Sequence, residues 1–76
     1  MEVALQVHPS RVEMRVLTLV ASGCTNDHIG SQMRLSALTI KSHLHRLSLR
    51  YGHLNRAGLV SLAYRARWLN RCGQPN

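Results

Sequence analysis

Residues 36–47, SALTIKSHLHRL, are the most informative part of this chain, because they combine an apolar face with a basic, hydrogen-bonding face at helical spacing. Wound as an α-helix, the stretch brings Ile40, Leu44 and Leu47 onto one narrow arc, which is the spacing of a helix that packs against a core. The opposite arc contains Leu38, Lys41, Ser42 and His45. A helix with these two faces fits the major groove of DNA, where its outer side chains contact base edges.

The flanks of this predicted helix supply candidates for contacts with DNA phosphates. Four side chains lie between the two arcs, where a helix in the major groove reaches the backbone. They are Thr39, His43, Arg46 and Arg50. Outside this helix, Arg34 and Arg56 carry the positive charge needed for the same contact. One or two of these arginines could instead form surface ion pairs, and His43 could instead pack against the preceding helix.

Each candidate for base reading also has a simpler interpretation. Lys41 is the only lysine in the chain, and a lone lysine on a helix is ordinarily solvated. His45 could equally be a passive surface group. Leu38 could contact the methyl group of a thymine, or it could be one of the exposed leucines that are common on protein surfaces. Their position on one arc, opposite the apolar one, favours DNA contact for Lys41 and His45.

The charge distribution indicates a polyanionic partner. The chain has 76 residues and a formal net charge of +7. All three acidic residues precede residue 28, together with only two arginines, whereas the other eight basic residues follow it. A basic chain can also bind anionic lipid or simply be soluble. The helix pattern favours double-stranded DNA among these alternatives.

Length and composition predict one small all-α domain. A chain of this length buries only about 60% of the surface that it exposes when unfolded, which leaves room for one modest core. Its hydrophobic content is 45%, but aromatic residues make up only 4% and phenylalanine is absent. This composition favours small packed helices over a β-sandwich, and no cavity for a cofactor is expected.

Several other classes of protein are disfavoured. Cys24 and Cys72 are too few for a disulfide framework and complete no metal-ligand set, so free thiols and no metal are expected. No apolar run approaches the ~20 residues that span a bilayer, so we expect a cytoplasmic, nucleoid-associated protein without a membrane partner. The sequence contains no paired carboxylates, no nucleophile with its base and no phosphate-binding glycine loop. This argues against an enzyme.

Capping signals divide the chain into four predicted helices. Ser10 and Glu13 fit a capping box at the start of the first helix, and glycines at positions 23 and 52 are suited to end the first and third helices. Further N-cap candidates are Thr25, Ser36 and Asn55. The predicted helices cover about residues 11–22, 26–33, 36–50 and 56–69. A compact four-helix domain containing a helix-turn-helix is therefore expected over residues 10–70, after a short arm at 1–9 and before a frayed tail at 71–76.

The predicted fourth helix carries two apolar stripes. The first contains Leu59, Leu62, Ala63 and Ala66. The second contains Val60, Tyr64 and Trp68, with Arg67 among them. Because so small a domain covers only one stripe, the second is a candidate dimerisation face. Alternatively, Tyr64 and Trp68 fold back as a rim of the same core, since small domains often bury all their aromatic residues.

Three ordered motifs in the chain resemble those of the LuxR-type, or GerE-type, four-helix DNA-binding domain. Residues 16–29 are similar to the family string V-L-x-L-V-A-x-G-x-T-N-x-x-I. Residues 35–43 resemble L-S-x-x-T-V-K-x-H, and residues 52–56 match G-x-x-N-R. The likeness covers residues 10 to about 69, which is nearly the whole chain.

The resemblance implies that the third helix enters the major groove and that the fourth helix pairs across a two-fold axis. It places Lys41, Ser42 and His45 at positions that commonly reach bases or nearby phosphates. The chain departs from the family pattern at Arg15, His28, Gly30 and His53. Glycine at position 30 replaces a usual alanine and is expected to weaken the second helix by roughly 1 kcal/mol. Many relatives carry a receiver or ligand-binding module, whereas only a short arm precedes Pro9 here, so no sensor is expected.

Two functions follow as hypotheses. The first is a homodimeric, sequence-specific transcriptional regulator that binds double-stranded DNA, of bacterial or phage type. The alternative is an adaptor that binds a related LuxR-type regulator or RNA polymerase through the fourth helix, with DNA binding secondary. Neither requires a cofactor.

Overall fold

Each of the four helices begins directly after the residue that the sequence assigns as its N-cap. In a computed structural model that describes residues 8–76, the helices are α1 Arg11–Ala21, α2 Asn26–Met33, α3 Ala37–Arg50 and α4 Arg56–Arg65. The cap side chains that accept hydrogen bonds from the first turns are Ser10, Thr25, Ser36 and Asn55. The all-α, four-helix fold class is therefore confirmed. The predicted arm at 1–9 lies almost entirely outside the described residues.

The start of α1 is stabilised by the predicted capping box. The hydroxyl oxygen of Ser10 accepts from the backbone N–H of Glu13 at 3.2 Å. In return, the carboxylate of Glu13 accepts from the backbone N–H of Ser10 at 2.8 Å. Two backbone donors that a helix start leaves without partners are satisfied in this way, and an N-cap side chain typically contributes about 1 kcal/mol.

Two groups of buried side chains hold α3 in place. One joins α1, α3, α4 and the segment after α4, and the other joins α1, α2 and α3. Ile40 and Leu47 of α3 are 0% exposed, and Leu44 between them packs against both groups. The apolar arc predicted for this helix therefore faces the core. The opposite arc is left to face solvent.

The turn between α2 and α3 gives Gly30 a role that its helix propensity does not reveal. The backbone N–H of Leu35 donates to the carbonyl oxygen of Gly30 at 2.8 Å, while Arg34 adopts a left-handed conformation with φ of 59°. A Cβ atom at position 30 would overlap the carbonyl oxygen of Leu35. Glycine therefore permits the close approach of α2 to the start of α3, in addition to lowering the intrinsic helix propensity of α2.

The prediction that the fourth helix reaches about Leu69 is wrong, because α4 ends at Arg65. Arg67 takes a left-handed conformation with φ of 62°, and the chain turns inward. Trp68 is only 7% exposed, and its ring lies 5.2 Å from that of Tyr51 and 5.7 Å from that of His8, centre to centre. Burial of the indole and of Leu69 outweighs the hydrogen bonds that further helical turns would add.

The end of the chain differs from the frayed tail that the sequence predicts. The side chain of Asn70 accepts from the backbone N–H groups of Cys72 and Gln74 at 2.9 and 3.0 Å. The backbone N–H of Asn76 then donates to the carbonyl oxygen of Trp68 at 3.1 Å. Because one asparagine side chain organises the turn, the segment folds back and pairs with the backbone of Trp68.

Candidate nucleic-acid interface

The outer arc of α3 forms a continuous polar surface with one apolar side chain in it. Lys41, Ser42 and His45 are all exposed, and Leu38 is 71% exposed. Together with Arg46, which is also exposed, these four side chains line one shallow depression on the surface of the domain. Because the depression is lined by consecutive turns of a single helix, its geometry is set by the helix and by the buried arc behind it.

The flank residues of α3 differ from one another in their surroundings. Thr39 is half-buried, and its hydroxyl group shares a hydrogen bond of 2.9 Å with that of Ser36 at the helix start. His43 is also half-buried, whereas Arg46 is exposed and lines the depression. Arg34 is exposed on the turn that leads into α3. Thr39 therefore contributes to the cap of α3, while Arg34 and Arg46 flank the polar surface.

Arg50 takes part in an ion pair within the protein. Its two terminal nitrogens donate to the two carboxylate oxygens of Glu13, both at 2.9 Å. Its guanidinium also lies 5.8 Å from the centre of the Tyr51 ring. The hydrogen bonds from Arg50 are the main cause of a lowered pKa of the Glu13 carboxyl, and the carboxylate in turn raises the pKa of Arg50. The surface-pair alternative left open by the sequence is the one observed for this arginine.

Arg56 is likewise used inside the fold. One terminal nitrogen donates to the side-chain oxygen of Asn26 at 2.7 Å, and the other donates to the carbonyl oxygen of Cys24 at 2.6 Å. These bonds connect the first residue of α4 with the start of α2. The guanidinium therefore fixes the position of the helix-turn-helix against α4.

The remaining cations near α3 have no such partners in the described part of the chain. Over residues 8–76, Arg34, Lys41 and Arg46 form no ion pair and no side-chain hydrogen bond. Their positive charges are therefore available to an external anion. The other carboxylate in this range, that of Asp27, lies in the first turn of α2.

A family model described as bacterial regulatory proteins of the LuxR family matches residues 10–63. The match begins at the N-cap of α1 and runs through α2 and α3 into α4, which is well over half of the chain. The chain belongs to the LuxR family. Comparisons with curated proteins and with solved structures find no significant match.

Membership confirms the recognition made from the three sequence motifs. LuxR-family domains are DNA-binding helix-turn-helix regulators and not a family of enzymes. In this LuxR-family domain the helix-turn-helix consists of α2, the turn at Arg34 and α3. Within residues 8–76, no helix is both long enough and apolar enough to cross a bilayer.

The candidate dimerisation residues of this LuxR-family domain do not share one surface. Trp68 is buried in the core, and Val60 is half-buried against the group formed by α1, α2 and α3. Tyr64 is 38% exposed and Arg67 is exposed. Trp68 therefore belongs to the core, as the alternative interpretation of the sequence expected. Tyr64, in contrast, keeps part of its side chain exposed to solvent.

Two functional contacts were missed by the sequence analysis. Glu13 was assigned only to the capping box, yet it also binds Arg50, 37 positions away. Asn26 was noted only as part of a motif, yet it accepts from Arg56, 30 positions away. The co-occurrence of the Thr-Asn and Asn-Arg motifs is the one sequence signal that could have suggested the second contact.

Proposed function

We propose that this LuxR-family protein is a sequence-specific regulator of transcription that binds double-stranded DNA with α3 in the major groove. The observation that carries the proposal is the outer arc of α3, where Leu38, Lys41, Ser42 and His45 face solvent on consecutive turns. Lysine and histidine side chains match acceptors on base edges, and serine can donate or accept. The buried arc behind them keeps the helix in a fixed orientation.

Contacts with phosphates are assigned to a smaller set than the sequence suggests. Arg34, on the turn before α3, and Arg46, on α3 itself, are both exposed. Thr39 and His43 are half-buried, so they can contact the DNA backbone only where it comes very close to α3. Arg50 and Arg56 are already bonded to protein groups, so binding a phosphate would require these bonds to be exchanged. We assign Arg50 and Arg56 a role in holding the helices of the domain in position relative to one another.

Homodimerisation through α4 is the second part of the proposal. Tyr64 and Arg67 provide the exposed contact, whereas Val60 and Trp68 pack toward the core and hold this part of the chain in place. Tyrosine and arginine are enriched at the centres of protein interfaces. A two-fold dimer of this kind binds a palindromic site whose half-sites are about one turn of DNA apart.

Selection from randomised duplexes, followed by titration of the selected site, tests the proposal. Lys41→Ala is expected to weaken the selected site by about 1–3 kcal/mol and to weaken unrelated DNA much less. Arg71→Ala is the matched control, because it removes one exposed positive charge from the tail and leaves α3 unchanged. Failure to enrich any sequence, or equal losses for both variants on all DNA, would refute base reading by α3.

The same face of α4 is where a related regulator or RNA polymerase would bind if the protein acted as an adaptor. The exposed ring of Tyr64 is the observation that favours a protein contact there. Sedimentation of the purified protein separates the two cases. A dimer at tens of micromolar supports the homodimer, whereas a monomer that associates only with a partner supports the adaptor.

A further inference from the structure

Leu38 has the most exposed large apolar side chain in the part of the chain that the structure describes. It is 71% exposed, compared with 48% for Leu49, which is the next in order. Apolar surface left in water is unfavourable, and this leucine is the second residue of α3, where nothing in the helix itself requires an apolar side chain. Its side chain is therefore open to burial by a partner that contacts the outer arc of α3.

The surroundings of Leu38 restrict what that partner can be. The depression on α3 is lined by four polar or charged side chains and by one wholly apolar side chain, that of Leu38. In the major groove, the edge of each base pair presents donors and acceptors, and thymine alone adds a methyl group. The N-terminal residues of a recognition helix are the ones that reach base edges.

We propose that Leu38 recognises a thymine through its C5 methyl group and thereby specifies one position of each half-site. The inference rests on the proposed function, because it requires α3 to lie in the major groove. Lys41 is three residues further along α3, which is about 4.5 Å along the helix axis. Since successive bases on one strand are about 3.4 Å apart, Leu38 and Lys41 address neighbouring base pairs. Removing the methyl group therefore leaves the contact of Lys41 in place.

Replacing single thymines of the selected duplex by deoxyuridine tests the inference, because this change removes the methyl group and keeps the base-pairing groups. The wild-type protein is expected to bind about four-fold more weakly for each half-site changed at one particular position, which corresponds to the burial of one methyl-sized group. Leu38→Ala is expected to bind the thymine and uracil duplexes equally well. Leu38→Met keeps an apolar side chain and is expected to retain part of the discrimination.

Leu49→Ala is the matched control, since Leu49 is an exposed leucine of the same helix that does not line the depression. It is expected to discriminate between thymine and uracil as the wild-type protein does. Because Leu38 is largely exposed, its variants are expected to fold, and circular dichroism checks this.

The outcomes separate the inference from the proposed function. Specific binding without sensitivity to any thymine methyl group, or equal sensitivity in Leu38→Ala, overturns the role of Leu38 and leaves DNA reading by α3 intact. A wild-type protein that selects no sequence at all overturns both. A site-specific loss in the wild-type and Leu49→Ala proteins that disappears in Leu38→Ala establishes the contact.

Discussion

The outer faces of α3 and α4 were predicted by the same helical-wheel argument, yet only the face of α3 is present in the structure as predicted. The outer arc of α3 is where the wheel places it, because the helix is regular from Ala37 to Arg50 and its opposite arc is buried. The second stripe of α4 is broken, because the helix ends at Arg65 and Trp68 turns into the core. A wheel thus predicts a surface only over the length for which the helix continues.

Trp68→Ala should have the largest effect on stability. Removing a buried aromatic side chain typically costs about 3–5 kcal/mol, a large part of the stability of so small a domain. Urea unfolding followed by circular dichroism measures the loss. Tyr64→Ala is the control on the same segment and should cost less than about 1 kcal/mol while weakening self-association. Equal losses for the two variants would contradict the distinction between a buried and an exposed aromatic residue.

Gly30→Ala should have the next largest effect, and its sign is informative. Helix propensity alone would stabilise α2 by about 1 kcal/mol. The overlap of the new Cβ atom with the carbonyl oxygen of Leu35 should reverse this, giving a net loss of about 1–3 kcal/mol. Thermal unfolding provides the measurement, and Ser31→Ala, at an exposed site on the same helix, should be close to neutral. A more stable Gly30→Ala protein would show that the turn before α3 can widen without cost.

Glu13→Gln should have a smaller effect that depends on pH. A glutamine keeps the capping box but loses the charge that pairs with Arg50, so a loss of about 0.5–1 kcal/mol is expected at pH 7. The pKa of Glu13 is lowered in the folded protein, so the unfolded state binds the proton more readily. The contribution is therefore complete above the unfolded pKa and disappears as the pH falls through the folded pKa.

Denaturant unfolding at several pH values between 7 and about 3 checks this prediction. Arg50→Ala removes the same ion pair from the other side and should lose the same pH-dependent part of the stability. If Glu13→Gln were equally destabilising at the acidic end of the range, the loss would have to come from the cap and not from the ion pair.

The arginines around α3 should differ most subtly, in the salt dependence of DNA binding. With Arg34 and Arg46 contacting phosphates in each protomer, log K should fall with log salt at a slope of about −4 per dimer. Arg46→Ala should reduce the slope by about two, whereas Arg50→Ala should leave it nearly unchanged. Titrations at several salt concentrations measure both. Equal changes in slope for the two variants would mean that Arg50 breaks its ion pair with Glu13 and binds a phosphate instead.

Local chemistry explains which parts of the fold could be predicted from the sequence. The helix starts depend on a cap and the three residues after it, so Ser10, Thr25, Ser36 and Asn55 are readable directly. The orientation of α3 can be predicted because its apolar residues keep the helical spacing over the 14 residues of the helix.

Contacts between distant parts of the chain account for what the sequence did not reveal. The pairs of Arg50 with Glu13 and of Arg56 with Asn26 join positions at least 30 residues apart, and no local pattern selects them. The end of α4 depends on a competition between further helical hydrogen bonds and burial of Trp68. That competition is decided by the shape of the core, which three other segments help to form.

The outer arc of α3 is short, which limits how many base pairs one copy of the protein can distinguish under the proposed function. From Leu38 to His45 the rise along α3 is about 10 Å, which corresponds to roughly three or four base pairs. If the protein acts as the proposed homodimer, six to eight specified positions match by chance about once in 4,000 to 65,000 base pairs, so a genome offers many competing sites. Under the proposed function, selection of a single promoter would require sequence-dependent bending of the duplex or clustered operators to supply the missing information.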